Sequence, residues 1–201
     1  MNRLAPIVLL LVVAACRQAE STAEPPAEPP PATVKSHAAG VAAAQVMGPA
    51  EAAASLLALD AEGLRLFNAV SGASRLIPFG TTKPDALRAI AAAQKSPVRS
   101  EGNNVDCNAA YTSWDNGLTV WFTKERFVGW SATASATPPA TAAGLKVGSS
   151  RAKLDSAYAA KVTRSTLGTE FTAGALAGLL ASDKPDAIVT HLWAGVTCLA
   201  R

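Results

Sequence analysis

The segment Arg17–His37, RQAESTAEPPAEPPPATVKSH, contains Ala-Glu-Pro-Pro twice and has Val34 as its only large apolar residue. Such a stretch cannot bury enough apolar surface to offset the entropy of ordering it, and its prolines favour extended polyproline backbone. It reads as a stalk that, at about 3 Å per residue, holds a domain some tens of Å from its attachment point. The Ala-rich residues 40–54 read as more linker, or as a first helical turn started at Pro49. Residues 16–54 are therefore linker, and folding is confined to residues 55–201, enough chain for one domain or two small repeats.

Within that region Leu56–Leu59 and Leu64–Phe67 flank Asp60-Ala61-Glu62-Gly63, the pattern of two short strands around a polar turn. A second turn, Ser71–Ser74, precedes Arg75–Phe79, so the signals are antiparallel. The period then changes. Thr82 stands three residues before Asp85 as a helix N-cap, Pro84 is tolerated in a first turn, and Leu87, Ile90 and Ala91 make a helical stripe. Leu118–Phe122 and Phe127–Trp130 flank Thr123–Arg126 as a hairpin, and Ser131–Ala143 reads as a connecting loop. Next, Leu145–Arg151 echoes Ile77–Lys83: aliphatic, any residue, apolar, Gly, two hydroxyls, base. Leu154, Ala157, Tyr158 and Lys161 are at helical spacing, and strands follow around Glu170–Leu180 and Ala187–Trp193 with Asp183–Asp186 between them. The expectation is an α+β domain, an antiparallel sheet with short helices packed on it, made of two tandem related units at about 55–135 and 140–201.

The chain opens MNRLAPIVLLLVVAAC. A helix needs about 20 apolar residues to cross a bilayer, so Leu4–Ala15 is too short to span one. Arg3 with the amino terminus gives a positive start, Leu4–Val13 an apolar middle, and Ala14 and Ala15 the small residues that a peptidase cleft accepts, which together read as a secretory signal over residues 1–15. Val13-Ala14-Ala15-Cys16 resembles the lipobox of bacterial lipoproteins. That resemblance implies that Cys16 carries a diacylglycerol and, once the signal is removed, becomes an amino terminus acylated with palmitate-type chains. An ordinary signal peptide followed by a chance cysteine is the alternative. Several acyl chains would make a permanent membrane anchor, each buried methylene adding roughly 0.8 kcal/mol. Arg17, rather than Asp, after the cysteine favours the outer membrane, facing the periplasm. Of three cysteines, lipidation takes one, leaving Cys107 and Cys198 as a pair in an oxidising compartment. A disulfide between them is expected, with two buried free thiols as the alternative. Closing a loop of about 90 residues would stabilise the fold by roughly 4 to 5 kcal/mol on the chain-entropy model.

A strand, a Gly with hydroxyls, a helix and a hairpin, used twice, resemble the small α+β repeat of the beta-lactamase inhibitor proteins and of the small lipoprotein subunit of the outer-membrane protein assembly machinery. The resemblance covers Leu76 to Cys198 and implies protein binding through an exposed sheet or loop surface. The phrases GLRLF, PFGTT, GLTVWF, RFVGW, LKVGSS, STLGTEF and LWAGVTC look like a group of uncharacterised alphaproteobacterial lipoproteins, some of them labelled aspartate-semialdehyde dehydrogenase. The residues do not support that label. No Gly-x-Gly-x-x-Gly lies between a strand and a helix, and the thiols available for catalysis are those of the expected disulfide.

Other catalytic patterns are incomplete. Ser150-Arg151-Ala152-Lys153 matches the Ser-x-x-Lys of penicillin-recognising enzymes, but the Ser-Asp-Asn and Lys-Thr-Gly partners are missing and Ser182-Asp183-Lys184 is no substitute, so helix capping by Ser149 or Ser150 is the expected use. His37 falls in the stalk and His191 in a strand, with no second ligand at a metal spacing, so neither metal nor cofactor is expected. Asp106 and Asp115 form a conceivable carboxylate pair, although Asp115-Asn116-Gly117 is what a tight turn requires anyway. With a net charge of +3 and no run of Lys or Arg, nucleic acid is not an expected partner. What stands out is tryptophan, four in the chain. Alternation places Leu118, Val120 and Phe122 on one face of the hairpin and Trp121 on the other, with Val128 and Trp130 sharing a face. Trp121, Trp130 and Trp114 are thus candidates for a binding surface, unless a second layer covers the rings. The leading expectation is a noncatalytic envelope lipoprotein held to the membrane by lipid and binding another protein. The alternatives are an envelope enzyme or enzyme inhibitor related to cell-wall or beta-lactam chemistry, and binding of a small or glycan ligand.

Overall fold

The computed structural model describes residues 55–198. The signal peptide, Cys16 and the linker through residue 54 lie outside the described residues. The fold is α+β and dominated by antiparallel sheet. Strands β1 (Ser55–Asp60), β2 (Gly63–Asn68) and β3 (Ser74–Pro78) make a three-stranded meander. A larger sheet contains β4 (Val98–Asn104), β5 (Ala109–Trp114), β6 (Leu118–Thr123), β7 (Arg126–Ala132), β8 (Lys161–Ser165), β9 (Gly168–Ala173), β10 (Leu176–Leu180) and β11 (Val189–Gly195). Their spatial order is β4-β5-β6-β7-β11-β10-β9-β8. Helix α1 (Lys83–Ala93) precedes the first four in sequence, and α2 (Arg151–Ala157) the last four.

Each helix starts where its sequence signals it. The Thr82 hydroxyl oxygen accepts from the Asp85 N–H at 3.4 Å while the hydroxyl donates to the Asp85 carboxylate at 2.6 Å. Ser150 Oγ accepts from the Lys153 N–H at 3.2 Å. These contacts satisfy amide groups that have no partner inside the helix. The turns before the helices are built alike. Gly80, at φ +92°, donates its N–H to the Phe127 carbonyl at 2.7 Å, and Gly148, at φ +90°, donates to the Val189 carbonyl at 2.8 Å. In return the N–H of Phe127 bonds the Thr81 carbonyl and that of Val189 bonds the Ser149 carbonyl, both at 2.8 Å. Lys83 likewise donates to the Glu125 carbonyl and Arg151 to the Ala187 carbonyl. The left-handed φ at both positions is one that glycine adopts without steric cost.

The hydrophobic core lies between one face of the large sheet and a second layer formed by the small sheet and the helices. It joins Leu59, Leu64, Leu66 and Ile77 of the meander, Ala86 and Ile90 of α1, and Leu154 of α2 to Leu118, Val120, Phe122, Trp130, Phe171, Leu176 and Leu192. Trp130 connects the layers directly, its indole N–H donating to the Asp60 carbonyl at 2.8 Å. That carbonyl is held in place by its own residue's side chain. Asp60 carboxylate oxygens accept from the Glu62 N–H at 3.0 Å and from Arg65 Nε at 2.8 Å, closing the β1–β2 turn. Burial raises the Asp60 pKa, but the Glu62 amide bond and the Arg65 bond and charge outweigh it, so the carboxyl titrates below its ordinary value.

Two differences from the sequence reading concern element type. Lys161 does not extend the second helix: α2 ends at Ala157, Tyr158 is extended, and Lys161 begins β8, pairing with Thr172. Cross-strand pairing decides that segment, since helical spacing alone supplies no partner for its exposed face. Strands β4 and β5 form the hairpin that Cys107 tips, in a region where the sequence gives little alternation.

After β11 the chain turns at Gly195, φ +73°, and Val196 donates its N–H to the Val128 carbonyl at 2.8 Å. Two residues later Cys198 forms a disulfide with Cys107, Cα to Cα 5.9 Å, closing a loop with a sequence separation of 91. The bond ties the end of the central strand β11 to the tip of the outermost hairpin. Removing it, by dithiothreitol or in the Cys107→Ser/Cys198→Ser double variant, should lower the stability measured by urea denaturation by about 2 to 5 kcal/mol. Coincident oxidised and reduced curves would show that the β4–β5 hairpin is held by strand pairing alone.

Candidate functional site

The pairing register sorts side chains of the large sheet onto two faces. Thr112, Val120, Trp130, Ala194 and Leu176 form a row across β5, β6, β7, β11 and β10 on the core face. On the far face the neighbouring row is Ser113, Thr119, Ser131, Trp193, Ala177 and Thr172. The next row there runs through Tyr111, Trp121, Gly129 and Gly195. Tyr111 and Trp121 are cross-strand partners whose ring centroids are 5.7 Å apart at an interplanar angle of 50°. The Trp121 indole N–H donates to Ser131 Oγ at 3.1 Å. With its polar edge held this way, the indole is a preoriented ring that needs little further ordering to contact a partner. Both rings are half-buried, whereas Trp193 on the same face is nearly covered and stands outside the main core cluster.

The C-terminal strap borders this pair. At Gly129, the cross-strand partner of Trp121, a Cβ would lie 2.1 Å from the Val196 carbonyl oxygen. Only glycine lets the strap lie this close to the sheet on its way to Cys107.

Of the three tryptophans expected at a surface, only Trp121 reaches one. Trp130 is 0% and Trp114 4% exposed, both in the core cluster. The cause at Trp130 is a register shift in the β6–β7 hairpin: Phe122 pairs with Phe127 but Trp121 pairs with Gly129. The extra residue, Val128, breaks strict alternation, so Phe127 and Trp130 both face the core. Tyr111, Ser131 and His191, unassigned from sequence to this surface, share the far face with Trp121. The signal for Tyr111 was the alternation in Ala109–Trp114, where buried Thr112 and Trp114 flank a half-buried Ser113.

The remaining candidates stay apart. Ser150 Oγ accepts the helix-capping bond, and the Lys153 side chain is exposed, its ammonium running past Gly144. Asp115 pairs with Arg99 at 2.9 Å. Asp106 lies at the opposite end of β5, roughly 20 Å away at the rise of an extended strand. His191 Nδ1 lies 3.1 Å from Thr190 Oγ1. Among the described residues no group of three or more His, Cys, Asp or Glu could hold a metal ion, and no helix is long and apolar enough to cross a membrane. No protein-family model, curated protein or solved structure matches the chain.

The two hairpin tryptophans should respond differently to truncation. Trp130→Ala removes a fully buried ring and an interlayer hydrogen bond, and should cost about 3 to 5 kcal/mol in urea denaturation. Trp121→Ala should cost about 1 kcal/mol. Equal losses would contradict the assignment of the two rings to opposite faces.

Proposed function

We propose that this chain is a noncatalytic binding lipoprotein of the bacterial cell envelope, anchored through acylated Cys16 in the outer membrane, facing the periplasm, and displayed on the Pro-rich stalk. It engages another envelope protein through the far face of the large sheet. The observation that carries this reading is the Tyr111–Trp121 pair, half-buried and fixed in orientation on the face that the helices and the small sheet leave clear. Aromatic rings held this way give a contact surface much apolar area at low ordering cost. The disulfide is consistent with an oxidising compartment.

The domain on this reading is two related units. Matching pairs of amide bonds at Gly80 and Gly148 support the relation, as do the cap residues Thr82 and Ser150. So does the central seam. Aligning Phe127 with Val189 aligns Trp130 with Leu192 and Ala132 with Ala194, and the observed pairs are Ala132 with Leu192 and Trp130 with Ala194. The register is therefore its own image about the Ser131–Trp193 pair, as a local two-fold axis requires. The first unit carries the β1–β3 meander in addition.

Two measurements test the proposal. Cross-linking of intact cells, with affinity purification and mass spectrometry, should enrich a specific protein that Trp121→Ala loses at matched abundance. Retention of every enriched protein by the variant would remove the far face from the reading. Separately, Cys16→Ser should move the protein from the membrane fraction to the soluble one and abolish incorporation of labelled palmitate. A variant that stays with the membrane and keeps its label would overturn the anchor.

A further inference from the structure

The Cys107–Cys198 disulfide joins two segments that no strand ladder holds. Cys107 lies in the turn between β4 and β5, which the pairing of Asn104 with Ala109 closes. Cys198 follows β11, whose pairing with β7 ends at Gly195 and Gly129. Neither cysteine belongs to the core cluster; Cys107 is exposed and Cys198 half-buried. The bond is therefore open to an external thiol, and breaking it takes no rung from either ladder. What it holds is the segment 196–198. The Val196 backbone stands where a side chain at Gly129 would stand, its carbonyl oxygen 2.1 Å and its nitrogen 2.8 Å from the Cβ that Gly129 lacks. Gly129 is the cross-strand partner of Trp121, so Val196 covers the sheet immediately beside the indole. The Val196 side chain is 65% exposed and gives the segment no anchor in the core. Among the described residues, the Val196 amide bond to the Val128 carbonyl, at 2.8 Å, is the one hydrogen bond between this segment and the sheet. One such bond is worth less than the entropy of ordering three residues, so the covalent link decides whether the segment stays.

We propose that the disulfide is a redox-sensitive latch: oxidised, it pins residues 196–198 over Gly129; reduced by a dithiol, small or protein-borne, it releases them and uncovers the sheet beside Trp121 with the fold intact. The exchange balances within these two reactants. One thiolate of the reductant attacks Sγ of Cys107, Cys198 leaves and takes up a proton, and the second thiolate displaces Cys107 from the mixed disulfide. Two electrons pass to the cysteines, which end as two thiols, and the reductant ends as a disulfide. The stability lost on reduction arises mainly from the greater entropy of the unfolded chain, which is compatible with a folded reduced state. The Asp106 N–H bond to Asn104 Oδ1, at 3.0 Å, and the β4–β5 pairs keep the hairpin tip in shape without Cys198. That the latch regulates binding rests on the far-face reading; the latch itself does not.

The test uses the full-length chain, isotope-labelled for NMR in unlabelled lipid nanodiscs, oxidised and after treatment with dithiothreitol. Deuterium exchange of the Val196 amide should quicken about tenfold or more on reduction, while the β7 and β11 amides keep their protection. The Trp121 indole signal should become more sensitive to a soluble gadolinium chelate. Cys107→Ser/Cys198→Ser should give the reduced values with and without dithiothreitol, and the wild-type comparison decides the matter even where that variant fails to fold. Unchanged Val196 exchange, or an unchanged Trp121 response, would overturn the latch. Loss of protection in β7 and β11 would overturn it too, since the bond would then be holding the whole fold. A latch that opens as stated, together with a cross-linked partner that survives Trp121→Ala, would uphold the latch and end the far-face reading.

Discussion

The pairing of β7 with β11 is the contact on which the rest of the molecule depends. Each four-stranded meander alone has one weak outer strand, β4 or β8, with mostly exposed side chains. Each also has one apolar inner strand, β7 or β11, whose core-face residues are buried. Left unpaired, the inner strands would present open backbone edges flanked by Trp130 and Leu192, a template for aggregation. Joining them edge to edge satisfies both ladders and makes one continuous face of eight strands, broad enough to cover the helices and the meander. The charged outer strands, with Lys161 and Arg164 on β8, then form the sheet's only long edges, where charge suits exposure.

That seam also determines which parts of the sequence could be read and which could not. The cap at Thr82, the turn at Asp60–Gly63 and the hairpin around Lys124 are local devices, set by residues within a few positions of one another, and the structure forms each of them. The echo of Ile77–Lys83 in Leu145–Arg151 was visible for the same reason. By contrast, β4 reads VRSEGNN and β8 reads KVTRS, polar segments that become strands only because β5 and β9 offer them an edge. Nothing local in Lys161 distinguishes a last helical turn from a first strand residue. The face of Trp130 was misread for another reason: the extra residue at Val128 resets the alternation, and a one-residue slip moves a whole side chain from solvent to core. The disulfide was legible through cysteine count, since its partners are far apart in sequence and no local pattern points to them.

Glycine placement extends the same logic to the far face. Gly129 and Gly195 are cross-strand partners at one end of the seam, and each leaves room for backbone where a side chain would stand. Their absence of side chains lets the strap cross the sheet beside Trp121 and reach Cys107. On the reading of two related units, His191, a full imidazole, stands at the point equivalent to Gly129, and among the described residues no strap crosses there. The far face is consequently asymmetric: one end is bordered by the chain's own C-terminal segment, while the other end remains accessible around His191.

On the reading of two related units, asymmetry of this kind is where the architecture can acquire a role without losing its fold. The matched amide bonds at Gly80 and Gly148, the caps and the seam itself are the parts that stability requires, and both helix turns have such bonds and caps. What differs is what stability can spare. Phe79 and Phe127 fill the turn before α1 with two rings, whereas Val147 and Val189 seal the turn before α2 with two aliphatic side chains, 6% and 0% exposed. On the reading of two related units, the two turns keep the same backbone bonds and seal them with different side chains. The positions that differ between the units, and not those they share, are therefore the ones to examine for recognition.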